Sequence, residues 1–270
     1  MLNVSLLQSS GSKRGMIISD SSFIDMSGAG EHTHIMNDAV SIIGDTLDQV
    51  TSIDSTATPL LQSLSVGTHS FLLVPELEKG NLYQSLSASD TSAIRNYVEM
   101  GGKLIVSNDA SGRGLELLNG LFGWSILIGS RSSSSTPLNT AAAAGTSFAL
   151  GPATLSYASG LYVASLSTLP SNTDVMYSYQ DEAWVFRAKY GYGSVIFLGF
   201  DWYASSRTQW YQVLSNALSY RPGMSLPLSI PATSKCAMAT NSLVCILVSW
   251  KWIPDIGLMI DMHAYTKSAQ

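Results

Sequence analysis

Five acidic residues stand where short apolar runs end. Asp20 follows Gly15-Met16-Ile17-Ile18-Ser19, Asp54 follows the run 49–53, Glu76 follows the run 69–75, Asp109 follows the run 103–108 and Asp201 follows the run 194–200. If those runs are neighbouring strands of an open α/β sheet, the carboxylates gather at its carboxyl edge, where such sheets bind ligands. An acidic rim disfavours phosphate and suits sugar hydroxyls, a cation or a basic peptide segment. Trp202 and Tyr203 add aromatic faces beside Asp201. The expected ligand-binding set is therefore Asp20, Glu76, Asp109, Asp201, Trp202 and Tyr203, for a carbohydrate or protein partner. Acidic residues at strand exits also cap the helices that follow and complement their dipoles, so each of the five carries a competing structural role.

Other chemistry-bearing residues are sparse. Ser111 lies beside Gly112 and Gly114, which allow close backbone approach, so it is the alternative nucleophile for a serine-type hydrolase. A serine needs a base, and no histidine is near it in sequence. His32 and His34 sit in a loop and His69 opens a strand at the end opposite the exits. The His32/His34 pair, with Glu31 and Asp38 close by, resembles half of a metal site. A zinc centre needs three or four ligands and no second cluster is visible, so no metal and no cofactor is predicted. No Gly-x-Gly-x-x-Gly or P-loop pattern follows the first strand, which argues against a nucleotide.

The elements that must position these residues follow from periodicity. From Arg14 to about Tyr220, β-rich runs alternate with helical patterns, the signature of βα units feeding a parallel sheet. Strands are expected at 15–19, 49–53, 69–74 and 103–106. Helices are expected around Ile35–Leu47, from Pro59 to Leu64, after Ser89-Asp90, from Gly114 to Phe122 and from Gln209 to Leu218. The stretch 130–145, rich in Ser, Thr and Ala, reads as a surface excursion. Between Phe148 and Phe200 strand follows strand (153–157, 161–166, 175–179, 184–190, 194–199), and Gly191-Tyr192-Gly193 predicts an antiparallel hairpin. The fold class predicted is α/β, a flavodoxin-like three-layer sandwich with a mostly parallel sheet and an antiparallel, strand-rich second half. Residues 1–13 read as an extension, 14–220 as the domain and 221–270 as a poorly integrated tail without clear period before Leu243.

Composition narrows the function classes. In 270 residues, 46% are hydrophobic and 12% charged, so a real core is expected rather than disorder. A net charge of −5 with scattered basic residues (Lys13, Arg14, Arg95, Lys103, Arg113, Arg131, Arg187, Lys189, Arg207), read as solvated surface, argues against nucleic acid. The longest apolar stretch, Leu243–Trp250, is too short for a membrane span. In the first fourteen residues the basic side chains follow the apolar patch, the reverse of a secretion signal. Cys236 and Cys245 leave the compartment open.

Three stretches carry a family resemblance: Val74-Pro75-Glu76 with the later Tyr97-Val98 and Gly101-Gly102-Lys103-Leu104-Ile105-Val106; the segment 117–124; and the segment 190–199 followed by Asp201-Trp202-Tyr203. Together they resemble the class I glutamine amidotransferase-like superfamily over about residues 14–220, in particular non-catalytic members such as the amidotransferase-like domains of intraflagellar transport proteins and the ThuA-like proteins. Active members place a cysteine at a strand-to-helix elbow and a histidine after a later strand. Here those places read Ser107-Asn108-Asp109-Ala110-Ser111-Gly112 and Gly199-Phe200-Asp201-Trp202-Tyr203. The resemblance thus implies a non-enzymatic binding domain; a Ser111 hydrolase and a purely structural module of a larger assembly are the alternatives.

Overall fold

A computed structural model describes residues 14–27, 30–54, 56–130, 134–158, 160–202, 207–221, 233–239, 242–253 and 257–268. The chain divides into two compact units, one of them Lys13–Gly223 and the other containing Met224–Gln270. In the first unit the elements run β1 (Arg14–Ile18), α1 (Glu31–Ile43), β2 (Leu47–Val50), α2 (Pro59–Gln62), β3 (His69–Val74), α3 (Leu82–Ser85), α4 (Ala88–Glu99), β4 (Lys103–Ser107) and α5 (Arg113–Phe122). They continue with β5 (Thr136–Pro137), α6 (Thr140–Ala143), β6 (Thr154–Leu155), β7 (Ala164–Ser165), β8 (Thr173–Tyr179), β9 (Glu182–Tyr190), β10 (Gly193–Leu198) and α7 (Thr208–Ser219).

The main sheet has the order β2-β1-β3-β4-β10-β9-β7, with β8 also paired to β9. The five strands from β2 to β10 are mutually parallel, whereas β9 runs antiparallel to β10, β8 and β7. This is the expected α/β architecture: a mostly parallel sheet that ends in an antiparallel, strand-rich stretch. Because successive side chains on a strand point to opposite faces, the sheet feeds two cores. Met16, Ile18, Leu72, Val74, Leu104, Val106, Val195 and Phe197 pack on α4 and α5 through Ile94, Tyr97, Val98, Leu115 and Leu118. Ile17, Phe71, Leu73, Ile105, Ile196 and Leu198 belong to the other core, with Ile35 and Ala39 of α1 and Trp210, Val213, Leu214 and Ala217 of α7. Both faces are covered, which is why β1, β3, β4 and β10 read as continuous apolar runs.

Several boundaries differ from expectation for local reasons. The second strand was expected to reach Ile53 but pairs only to Val50, because the Ile53 amide donates to Asp20 Oδ2 instead of to a ladder partner. The cap of α4 is Ser87, which accepts from the Asp90 amide and donates to the Asp90 carboxylate. The excursion 130–145 contains β5 and α6, elements too short for periodicity to reveal.

The basic residues are not uniformly solvated surface. Lys103 is only 3% exposed. Its ammonium donates to the Leu218 and Tyr220 carbonyls, two of the acceptors that the end of α7 leaves without partners. Burial, and then the charge of Arg221, push the Lys103 amine down to about 7.

The second unit holds a three-stranded antiparallel sheet, β11 (Thr233–Ala239), β12 (Ser242–Ile253) and β13 (Gly257–Ser268), in the order β11-β12-β13. Regular structure therefore begins ten residues before Leu243, where periodicity first showed it. The hairpin register sets Cys236 opposite Cys245.

Replacing Lys103 with Met keeps the stem and removes the donor, leaving buried carbonyls unpaired. Urea unfolding of Lys103→Met should show a stability loss of about 1–3 kcal/mol, the ordinary cost of such groups.

Candidate functional site

The chain leaves β1, forms β2 on one side and returns to form β3 on the other, so the strand order reverses at the β1–β3 boundary. A crevice opens at such a reversal, outside the carboxyl ends of the strands. Glu76 lies there, two residues beyond β3, and Glu31 opens α1 after the β1 exit loop. Asp201 comes from the far side, three residues beyond β10.

The structure divides the five strand-exit acids. Asp20 accepts from the Ser22 amide at 2.8 Å and the Ile53 amide at 2.7 Å, tying the exit of β1 to the loop after β2. Asp54 closes a local turn with Thr56. Asp109 accepts from the Arg113 amide at 2.6 Å at the start of α5, and its other oxygen meets the Arg113 guanidinium at 2.8 Å. Glu76 and Asp201 do something else. With Glu31 they bring one carboxylate oxygen each to within 4.8 Å of one another, and Glu31 also belongs to a second such group with Asp25 and Glu78.

Two members of the inner triad are deeply buried, Glu31 at 4% and Glu76 at 3% exposure. Each has an Oε2 that is shielded from solvent and has no hydrogen-bond partner. The carboxyl groups of Glu76 and Asp201, and those of Glu78 and Glu31, stand close enough to influence one another's ionisation. Burial, and then the charges of Asp201, Glu78 and Glu31, push the Glu76 carboxyl up to about 11. Burial, and then Glu78, Asp201 and Asp25, push Glu31 up to about 7. Glu78 is raised as well, by burial first and Asp25 second. Desolvation and like charge act in the same direction here, both disfavouring the ionised form.

Arg113 builds the frame of this site. While paired to Asp109 it donates through Nη1 to the Leu77 carbonyl at 2.9 Å and the Glu78 carbonyl at 2.7 Å. The loop that carries Glu76 and Glu78 is thereby pinned to the start of α5. Lys79 pairs with Asp25 at 3.2 Å at the outer margin.

Other expected members lie elsewhere. Trp202 is not an exposed flank of the rim: it is 1% exposed, packs edge-on to Phe200 at 5.1 Å and donates through Nε1 to Asp38 Oδ2 at 3.0 Å. Phe200 stacks in turn on Trp210 at 4.7 Å, so hydrophobic packing with α7 draws the 200–202 segment inward. Tyr203 lies outside the described residues. Ser111 is exposed on the turn before α5. The histidines that a serine there would need as a base are engaged elsewhere: His32 Nε2 is hydrogen-bonded to Ser19 Oγ at 2.7 Å, His34 Nδ1 donates to the Trp202 carbonyl at 3.0 Å, and His69 bonds Thr68 and Asp48. Burial lowers the pKa of His32, favouring its neutral form. The sequence had marked Glu31 only as a neighbour of His32 and His34; its real neighbours are acids, and Arg113 and Glu78 carried no local signal.

No protein-family model matches the chain, and no curated protein matches it in sequence. Among solved structures it is similar to the β-galactosidase from Rahnella sp. R3, at 13% identity over 94% of this chain and 41% of that one, with a TM-score of 0.45. The β-galactosidase from Bacillus circulans sp. alkalophilus is similar at 10% identity over 95% and 40%, with a TM-score of 0.47. A cytoplasmic protein from Salmonella typhimurium is similar at 10% identity over 69% and 86%, also with a TM-score of 0.47. The chain thus spans about two fifths of the length of those β-galactosidases.

Glycoside hydrolases recur among these likenesses, and this overturns the expected resemblance to the amidotransferase-like superfamily, together with the notion of an amidotransferase stripped of its reaction centre. The motifs that suggested it have a local cause. Gly101 has φ 111°, and a Cβ on Gly102 would lie 2.5 Å from the Tyr97 carbonyl oxygen, so the Gly-Gly pair is needed to stop α4 and start β4. Any strand–helix–strand unit of this geometry imposes the same requirement.

The raised carboxyls make a signed prediction. A carboxyl whose folded pKa exceeds its unfolded value contributes stability that is present below the unfolded pKa and is lost as pH rises through the folded one. For Glu31 that window runs from about 4.5 to about 7. Chemical denaturation in chelator-treated buffer should show Glu31→Gln gaining on the wild type by roughly 1–3 kcal/mol between pH 5 and pH 8. Equal differences at both pH values would contradict the burial of this charge.

Proposed function

We propose that the chain is a binding module that takes a polyhydroxylated, carbohydrate-type ligand at the carboxyl edge of its sheet. One observation carries this reading: Glu31, Glu76 and Asp201, from three separate elements, converge at the strand-order reversal while their framing is delegated to other acids. Carboxyl groups with spare lone pairs are good acceptors for sugar hydroxyls, and a protonated one can donate as well. The Arg113 clamp and the Asp20 tie hold the loops in advance, which reduces the ordering cost of binding.

A protein partner is the second reading, favoured by the adjacent apolar side chains Leu127 and Ile128, which are 61% and 53% exposed. Ile128 packs against Gly112, at the start of α5 and so near the same edge of the sheet. Among the described residues no helix is long and apolar enough to cross a membrane.

The test is a glycan array probed with the full chain, followed by calorimetry on the saccharides retained. Glu76→Gln and Asp201→Asn should each weaken saccharide binding at least about tenfold, while thermal melts show both variants folded. Retention of no saccharide, or variants that bind as the wild type does, would remove the carbohydrate reading. Loss of partner capture on Leu127→Asp with saccharide binding absent would select the protein reading.

A further inference from the structure

We infer that Glu31, Glu76 and Asp201 form a site for one hard divalent cation of the calcium class. The argument begins with geometry. One oxygen from each of the three carboxylates lies within 4.8 Å of the other two. Oxygens bound to Ca²⁺ sit about 2.3–2.6 Å from the ion, so ligands on opposite sides of it are separated by about 4.6–5.2 Å. Three oxygens spaced as these are fit on such a sphere with small side-chain adjustments. Mg²⁺ demands near-ideal octahedral order and keeps several of its waters, so it is seldom held by a cage built from protein carboxylates alone.

A cluster of acids on a surface would mean little, because water satisfies it. Here the second observation is burial without partners: Glu31 Oε2 and Glu76 Oε2 are both closed off from solvent and bond to no described group, on side chains more than nine-tenths buried. An orphaned, buried carboxylate oxygen turned among other carboxylates is a ligand atom in search of a positive centre. Among the described residues, Lys79 pairs with Asp25, and Arg113 with Asp109 and the loop carbonyls. A neutral oxygen is also at this edge: Asn108 Oδ1, on the strand exit next to that of Glu76, is fully buried and bonds to no described group. All these donors are hard oxygens, with no sulfur or imidazole, which selects Ca²⁺-like ions over zinc or copper. Glu78 and Asp25 lie toward the outside and supply negative potential along the approach.

The inference stands on the carboxylates themselves and does not require a saccharide. It is tested by calorimetric titration of the chelator-treated full chain with Ca²⁺, Mn²⁺ and Mg²⁺ alone, paired with thermal melts. The expected result is one Ca²⁺ per chain, bound at least about tenfold more tightly than Mg²⁺, with a rise in the melting midpoint. Glu76→Gln, Asp201→Asn and Glu31→Gln should each weaken that binding about tenfold or more, and Glu116→Gln, on α5 and bonded to Asn81, should leave it unchanged. Melts of the variants without cation establish that they are folded. Absence of heat and of any midpoint shift with all three ions would overturn the site, as would binding that the three variants leave intact. Titration of the glycan-array saccharides with and without chelator separates the two readings. Ca²⁺ binding without saccharide binding leaves the cation site and removes the carbohydrate reading; saccharide binding without cation binding does the reverse.

Discussion

The confinement of several carboxyl groups in one poorly solvated hollow at the carboxyl edge of the sheet is the constraint around which this molecule is arranged. Ionised acids in that setting repel one another and forgo hydration, so a proton, a cation or a hydrogen-bonding ligand is needed to balance them. Burial and the charge of Asp201, from a different strand exit, both favour the protonated form of Glu76.

Such a hollow persists only if the backbone around it cannot relax. Here the other acids do the holding. Asp20 takes the amides of Ser22 and Ile53 and fixes the exits of β1 and β2 together. Asp109 orients Arg113, and Arg113 binds the carbonyls of Leu77 and Glu78 on either side of the bend that follows Glu76. Below them, Phe200, Trp202 and Trp210 form an aromatic stack that sets where the β10 exit turns and so where Asp201 stands. The strand-exit acids therefore fall into two groups, one that shapes the crevice and one that faces it. Capping and the clustering of carboxyl groups are performed by different members of the same set.

The same division of labour explains why family-like patterns misled. Glycine at a helix end and an apolar strand after it are common in βα units generally, and here Gly101-Gly102 answers to the close approach of Tyr97. Lys103 shows the converse. It looks like an ordinary surface lysine in sequence, yet its position at the start of a central strand places it beneath the end of α7, where the carbonyls of Leu218 and Tyr220 accept its hydrogen bonds.

What the sequence by itself determined was whatever depends on neighbours along the chain. Continuous apolar runs mark strands covered on both faces, period 3.6 marks the buried sides of α1, α4, α5 and α7, and the Gly191-Tyr192-Gly193 turn marks the antiparallel hairpin of β9 and β10. It also marked Glu76 and Asp201 as strand-exit acids, because the end of a run is a local feature. Short elements such as β5 and α6 escaped, being too brief for a period to repeat. Only the tertiary structure decided that Glu31 joins Glu76 and Asp201, that Asp20 and Asp109 turn to backbone amides, that Arg113 spans two loops and that Trp202 faces inward. Those outcomes depend on contacts between residues separated by dozens of positions, and they are set by strand order and by the competition of packing with hydration, neither of which is written in the spacing of residue types.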